Sequence, residues 1–504
     1  MVNLSRKNLA QNTLWNLVGQ GLPFLSAIVA TPLIIHALGL ERFGILILAW
    51  AFISYFTLLD IGIGRALTIL LTEKIGGSEE KITTIYAIVG SSLTLLFWLS
   101  LIATALAVSI CPILVQQFLN IPLQLQNESL NAFRILGSCI PLIILINAFK
   151  GILMAYQRFD WINKIQIPLE IMTFIGPLLI IPFTHNISAI ITVLAVFRIF
   201  AFFLYLNFIF SLFPLLWAHL KINKTILSTL LPMGGWLFLN NILILLIFYA
   251  DRFMIGSILT PQDVSYYAVP LEMITKISII SGALSNVLFS AFGSLFQKDK
   301  ERTLRIFWGG VKYVSLFVFP IIFLIYTFSH ELLTIWIGRE IASKSHTVLQ
   351  WLAIGVFLHS LANIAFNLIL GLGRPDLTVK LYLIEFPLYL LLIFHLIPSQ
   401  GINGVAVARL TWISMETFLL FWISLHILKA KKGCLLPFAS ALGILIAIMT
   451  LSHNFLSPMT RGLYYIFITT AYSILAWQRI LSDNDKNKAK ETLSLFLRPC
   501  KIKT

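Results

Sequence analysis

Residues 84–110 read TIYAIVGSSLTLLFWLSLIATALAVSI, twenty-seven residues without a single Asp, Glu, Lys or Arg. An α-helix rises about 1.5 Å per residue, so the stretch is more than long enough to cross roughly 30 Å of hydrocarbon. Lipid offers no partner to backbone N–H and C=O groups, so a single segment that spans it must satisfy them internally, as a helix does. The same kind of stretch recurs along the whole chain. Fourteen spans are expected: 14–38, 44–72, 84–110, 130–156, 165–183 and 188–213, then, after the polar connector KINKT (221–225), 229–258, 264–295, 303–328, 347–370, 376–398, 402–428, 434–452 and 460–480. Composition agrees. Of 504 residues 58% are hydrophobic and 11% charged, with a mean hydropathy of +0.90, which defines an all-α, polytopic membrane protein. The first span is too long for a signal-peptide core and has no small-residue cleavage site after it, so it is expected to stay in the membrane.

Lys and Arg resist translocation and collect on the cytoplasmic side. With the N-terminus inside, the inner loops and tails hold about two dozen Lys and Arg, and the outer loops about four: Arg42, Arg339, Lys344 and Arg461. The expected topology is N-in and C-in, in the inner or plasma membrane. This asymmetry also explains much of the net charge of +15. The basic runs flank hydrophobic spans and do not interleave with aromatics, which argues against nucleic acid as a partner. Cys111, Cys139, Cys434 and Cys500 show no CxxC spacing, so neither a metal site nor a disulfide framework is expected. There is no GxxxxGK[ST], HExxH or GxSxG motif, and no loop long enough for a catalytic domain. A transporter is expected rather than an enzyme, with no bound cofactor.

Two pairs of segments suggest an internal duplication. LGLERFG (38–44) corresponds to LTPQDVS (259–265) at an offset of 221, and LMAYQRFD (153–160) to ILGLGRPD (369–376), both ending R-x-D, at an offset of 216. Repeats of six spans are parallel, and transporters commonly place the substrate path between such halves. The expected division is an N-terminal lobe of six spans (1–220), a C-terminal lobe of six (221–430) and two further spans with a basic cytoplasmic tail (431–504).

Function is best sought among ionisable groups at membrane depth, because each is unfavourable by several kcal/mol unless it faces water or a partner. Arg198 falls about 15 Å into span six, and Lys276 about 18 Å into span eight with Glu272 one turn away. Asp251 and Arg252 lie in span seven, Asp60 in span two, and Glu385, Arg409 and Glu416 in spans eleven and twelve. Glu272 with Lys276 is either a structural bridge or part of a cavity wall. Arg134, Lys150, Glu170 and Lys312, near span ends, suit snorkelling to the headgroups, and His359 suits a contact with a neighbouring helix. In LLDIGIGRALTILLTEK (58–74), a wheel at 100° per residue places Asp60, Thr57, Gly64, Arg65, Thr68 and Thr72 within about 140° of arc. Such a polar stripe must face protein or water. Arg65 either joins that wall or reaches the inner headgroups.

At these residues the chain resembles the polysaccharide flippases, the O-antigen and lipid-linked oligosaccharide translocases of the multidrug/oligosaccharidyl-lipid/polysaccharide (MOP) exporter superfamily. The matching features are Asn16, Gly19, Pro23 and Pro32, then LG-x-E-x-FG at 38–44 and LLD-x-G-x-G-R-A at 58–66, with a weaker continuation through YADRFMIGSILTPQDVSYYAV (249–269). The resemblance implies two six-helix lobes around a cationic cavity. The implied substrate is a polyprenyl-pyrophosphate-linked oligosaccharide moved to the external leaflet by alternating access, with membrane lipids and other polysaccharide-assembly proteins as partners. Arg65, Arg198, Arg252 and Lys276 would line the cavity. Asp60, Asp251 and Glu272 would balance charge or couple transport to a proton or sodium gradient. Ser265 stands where many relatives carry Gly. Rival expectations are a multidrug or small-molecule antiporter of the same fold, a membrane-embedded glycan polymerase, and a scaffold without transport.

Overall fold

The computed structural model describes residues 6–56, 63–74, 80–221, 223–296, 299–430, 435–452 and 457–480. Among them there are seventeen α-helices and no strand: α1 (Arg6–Leu38), α2 (Leu40–Phe56), α3 (Ile63–Lys74), α4 (Glu80–Ile113), α5 (Leu123–Ser138), α6 (Ile140–Ala155), α7 (Phe159–Ile180), α8 (Ile187–Leu212), α9 (Lys224–Ile258), α10 (Pro261–Thr275), α11 (Ser278–Leu295), α12 (Lys300–Thr327), α13 (Ser329–Trp336), α14 (Arg339–Gly371), α15 (Pro375–Ile427), α16 (Leu435–Leu451) and α17 (Pro458–Leu475). Start signals are written in the sequence. Asn186, Asn223, Asp299 and Ser457 cap α8, α9, α12 and α17 through their side-chain oxygens, and Thr260 with Asp263 forms a capping box at α10.

Eight helical segments of the described residues are long and apolar enough to cross a membrane. Bends divide some of the fourteen expected spans and join others, and expected span 44–72 includes residues outside the described ones. Expected span 130–156 is α5 plus α6, one 33-residue segment (Leu123–Ala155) that starts in the polar LQLQNES and breaks at Cys139, where Pro141 cannot donate a helical hydrogen bond. Expected span 264–295 is split into α10 and α11. Expected spans 376–398 and 402–428 are the two arms of α15, joined without a loop at Gly401 (φ +57°), a conformation glycine adopts readily.

The chain divides into two compact units, Met1–Lys276 with Arg374–Arg409, and Ile277–Gly373 with Leu410–Thr504. In the first, α1 packs along α7, α8 covers α5, α6 and α7, and α2 packs on α10. A Cβ on Gly44 would come within 1.7 Å of Pro261 O, so α2 and α10 meet backbone to backbone. Ser265 Oγ donates to Leu40 O at 2.7 Å beside that contact. Asn120 donates from its backbone to Gly256 O (2.9 Å) and from Nδ2 to Ser257 O (2.8 Å) and Leu259 O (3.1 Å), satisfying carbonyls that the end of α9 leaves open. In the second unit α14 packs on α11, α12 and α13, and Arg461 of α17 holds Glu331 of α13 at 2.6 Å.

The two R-x-D segments fold alike. Arg158 grips Asp160 through Nε and Nη2 (3.1 and 3.1 Å) at the start of α7, and Arg374 grips Asp376 in the same way (2.9 and 3.0 Å) at the start of α15. Burial raises the Asp160 carboxyl, but the Arg158 hydrogen bonds and charge, with backbone N–H groups, together outweigh it and hold the group below the usual carboxylate range. Gly44→Leu should lower the unfolding midpoint of the purified protein by an amount matching about 1–3 kcal/mol of overpacking, whereas Gly21→Ala, with nothing within 4 Å, should not lower it.

Candidate functional site

The charged residues of α9, α10 and the first unit's part of α15 converge. Asp251 on α9 is fully buried (0% exposed). Its Oδ2 accepts from Tyr267 Oη of α10 at 2.8 Å and forms an ion pair with Arg409 Nη1 of α15, while Oδ1 accepts from the Arg252 backbone N–H at 2.8 Å. The Arg409 guanidinium lies 5.2 Å from the Phe248 ring centroid, and the fully buried Tyr389 shares the field of this pair. An acid so engaged is a joint between three helices, not an open carboxylate.

One residue along α9 the charge turns outward. Arg252, with its side chain 8% exposed, donates from Nη1 to Phe248 O (3.1 Å) and from Nη2 to Glu272 Oε1 (2.9 Å), and its guanidinium lies 4.8 Å from the Tyr249 ring centroid. Glu272 Oε2 lies 3.7 Å from Lys276 Nζ, one turn along and at the end of α10. Glu272 (55%) and Lys276 (36%) are both more exposed than Arg252, so a row of two cations and one acid runs from the buried pair to an accessible surface. The structure thus brings Asp251, Arg252, Glu272 and Lys276 together. Arg409, Tyr267 and Tyr389 complete the group; the only signal in the sequence was opposite charges in different spans, and no pattern linked Arg409 to a partner 158 residues away.

Arg198 lies elsewhere. With Lys150 of α6 and Glu170 of α7 it lines a cavity of about 160 Å³ between α6, α7 and α8, whose other polar walls are Asn147, Gln166 and Thr173. Lys150 and Glu170 therefore share this space with Arg198. Asp60 lies outside the described residues; Arg65 is on α3, and its side chain is outside the description. Along the stripe of α3, Thr68 Oγ1 donates to Gly151 O of α6 (3.0 Å), and a Cβ on Gly151 would meet Gly64 O at 2.9 Å. That part of the stripe faces protein, because the missing side chain at Gly151 lets the two backbones touch. In the second unit His359 Nδ1 of α14 lies 3.7 Å from Glu416 Oε2 of α15, and among the described residues no His, Cys, Asp and Glu cluster could hold a metal ion.

Long apolar helices and ion pairs held at membrane depth define a multi-pass, all-helical membrane protein, and its fold is one found among solved transporters. It is similar to the lipid II flippase MurJ in an inward closed conformation (TM-score 0.70, 14% identity, 94% of this chain and 100% of that one). It is also similar to an inward-facing multidrug resistance MATE family transporter of the MOP superfamily (TM-score 0.66, 14% identity, 84% and 96%). The polysaccharide biosynthesis protein family profile matches residues 37–346, and the chain belongs to that family. A relative in Shigella flexneri, named "Putative O-antigen transporter", is 26% identical over 417 residues, covering 82% of this chain and 97% of its own.

Removing one partner of a buried ion pair leaves the other charge uncompensated, which destabilises by about 3–5 kcal/mol. Arg409→Gln should therefore lower folding yield and the unfolding midpoint steeply. Asp251→Asn combined with Arg409→Gln should recover much of the loss, as a double-mutant cycle in detergent will measure.

Proposed function

We propose that this protein is a flippase that carries polyprenyl-pyrophosphate-linked oligosaccharide from the cytoplasmic to the external leaflet for polysaccharide assembly. Family membership and the likeness to the Shigella relative over 82% of this chain support a glycan carrier. The observation that carries the reading is the accessible row Arg252–Glu272–Lys276, with two cations to one acid. A pyrophosphate can replace the Glu272 carboxylate on both cations, exchanging one anionic partner for another without stranding a buried charge. The lipid tail stays in the bilayer while the headgroup crosses. The N- and C-termini lie in the cytoplasm, and alternating access exposes the row to each side in turn. A proton or sodium gradient drives the cycle, and other polysaccharide-assembly proteins receive the product.

An exporter of cationic drugs would need an unneutralised acid. Asp251 is occupied by Arg409 and Tyr267, and Glu272 by Arg252 and Lys276, which favours the anionic substrate. A glycan polymerase is a different outcome of the same experiment. Deletion of the gene should trap unpolymerised lipid-linked units on the cytoplasmic face, inaccessible to external lectin; single units delivered outside but not joined would sink the proposal. Lys276→Gln removes a contact to a charged group worth about 1.5–3 kcal/mol and should cut glycan export in complemented cells roughly tenfold or more, while leaving protein level unchanged.

A further inference from the structure

We infer that the cavity between α6, α7 and α8 is a binding site for one small monoanion, a carboxylate or a halide, separate from the Arg252–Glu272–Lys276 row. Size sets the first limit. At about 160 Å³ the space holds several waters, which suits a halide or a small carboxylate with part of its water shell.

Charge sets the second. Lys150 and Arg198 stand against the single carboxylate of Glu170, which leaves the walls with a net charge of +1. That carboxylate is already engaged, since Gln166 Nε2 donates to Glu170 Oε1. Arg198 Nη1 is buried and has no hydrogen-bond partner among the described residues, and Gln166 Oε1 is in the same position. Guanidinium nitrogens can only donate, so Nη1 requires an acceptor. Water would fill the hydrogen bond but not the charge. An anion fills both, and a water in its shell can donate to Gln166 Oε1.

Location sets the third. Arg198 lies twelve residues into the 26-residue α8, far from either end, so its guanidinium does not depend on headgroup phosphates for its counter-charge. A monoanion reaches the cavity from one of two sources, dissolved halide or an acidic substituent of the carried glycan. Only the second source rests on the flippase reading; the site itself does not.

The test uses the purified full-length chain in detergent, titrated with sodium chloride, sodium glucuronate or glucose against an ionic-strength-matched sodium sulfate control, with thermal unfolding and calorimetry as readouts. Saturable stabilisation by chloride or glucuronate, and none by glucose, is expected in the wild type and in Lys276→Gln. Saturation by chloride alone assigns dissolved halide as the source, and saturation by glucuronate alone assigns the glycan. Arg198→Gln should abolish the response and Lys150→Gln should weaken affinity at least tenfold. Absence of saturable binding, or unchanged affinity in Lys150→Gln, overturns the inference, and the latter decides even if Arg198→Gln fails to fold. Because no transport is measured, this result stands apart from the outcome for flipping.

Discussion

An ionised group surrounded by hydrocarbon has nowhere to put its field, and this constraint organises the interior of the first unit. The Asp251 carboxylate is answered by Arg409, Tyr267 and a backbone N–H. Each answer comes from a different place in the chain, so satisfying one acid fixes the positions of α9, α10 and α15 together. The penalty for a lone charge at depth makes this arrangement hard to exchange piecemeal. The positions of Arg252, Glu272 and Lys276 follow from it, because they sit on two of the helices so fixed.

A buried joint and an accessible row then divide the work. The joint has no spare capacity and holds helices. The row is paired but exposed, and its members can change partners without any of them entering lipid alone. Lys276 closes α10, where the carbonyls at the helix end carry partial negative charge, so part of its attraction is met by the helix itself. Glu272 is the acid that both cations of the row share.

How much of this is legible in the sequence depends on the range of the interaction concerned. The membrane class, the helical content and the boundaries near 376, 402 and 460 follow from apolar runs and local punctuation, which act over neighbouring residues. The splitting at Cys139 and near Lys276 was missed because hydropathy averages over a break of one or two residues. Arg252, Glu272 and Lys276 were found as charges in apolar runs, and Glu272 with Lys276 also by helical spacing. The pairing of Asp251 with Arg409 was not, since it depends on two helices far apart in the chain arriving side by side. Lys150 was read as a headgroup anchor from its place near a span end. It proves to line a cavity, because the neighbouring α7 and α8 supply polar side chains at the same level. Of the polar stripe on the 58–74 wheel, Gly64 and Thr68 meet the backbone of α6, a contact the wheel could not tell from water.

The contact at Gly44 bears on the resemblance itself. The glycine that ends LG-x-E-x-FG is there because Pro261 O occupies the place of a side chain. What the motif records is therefore the mating surface of two helices rather than the handling of a ligand. A substitution there would disturb how two helices mate whatever charges stand elsewhere in the bundle, so the scaffold and the polar interior can vary independently.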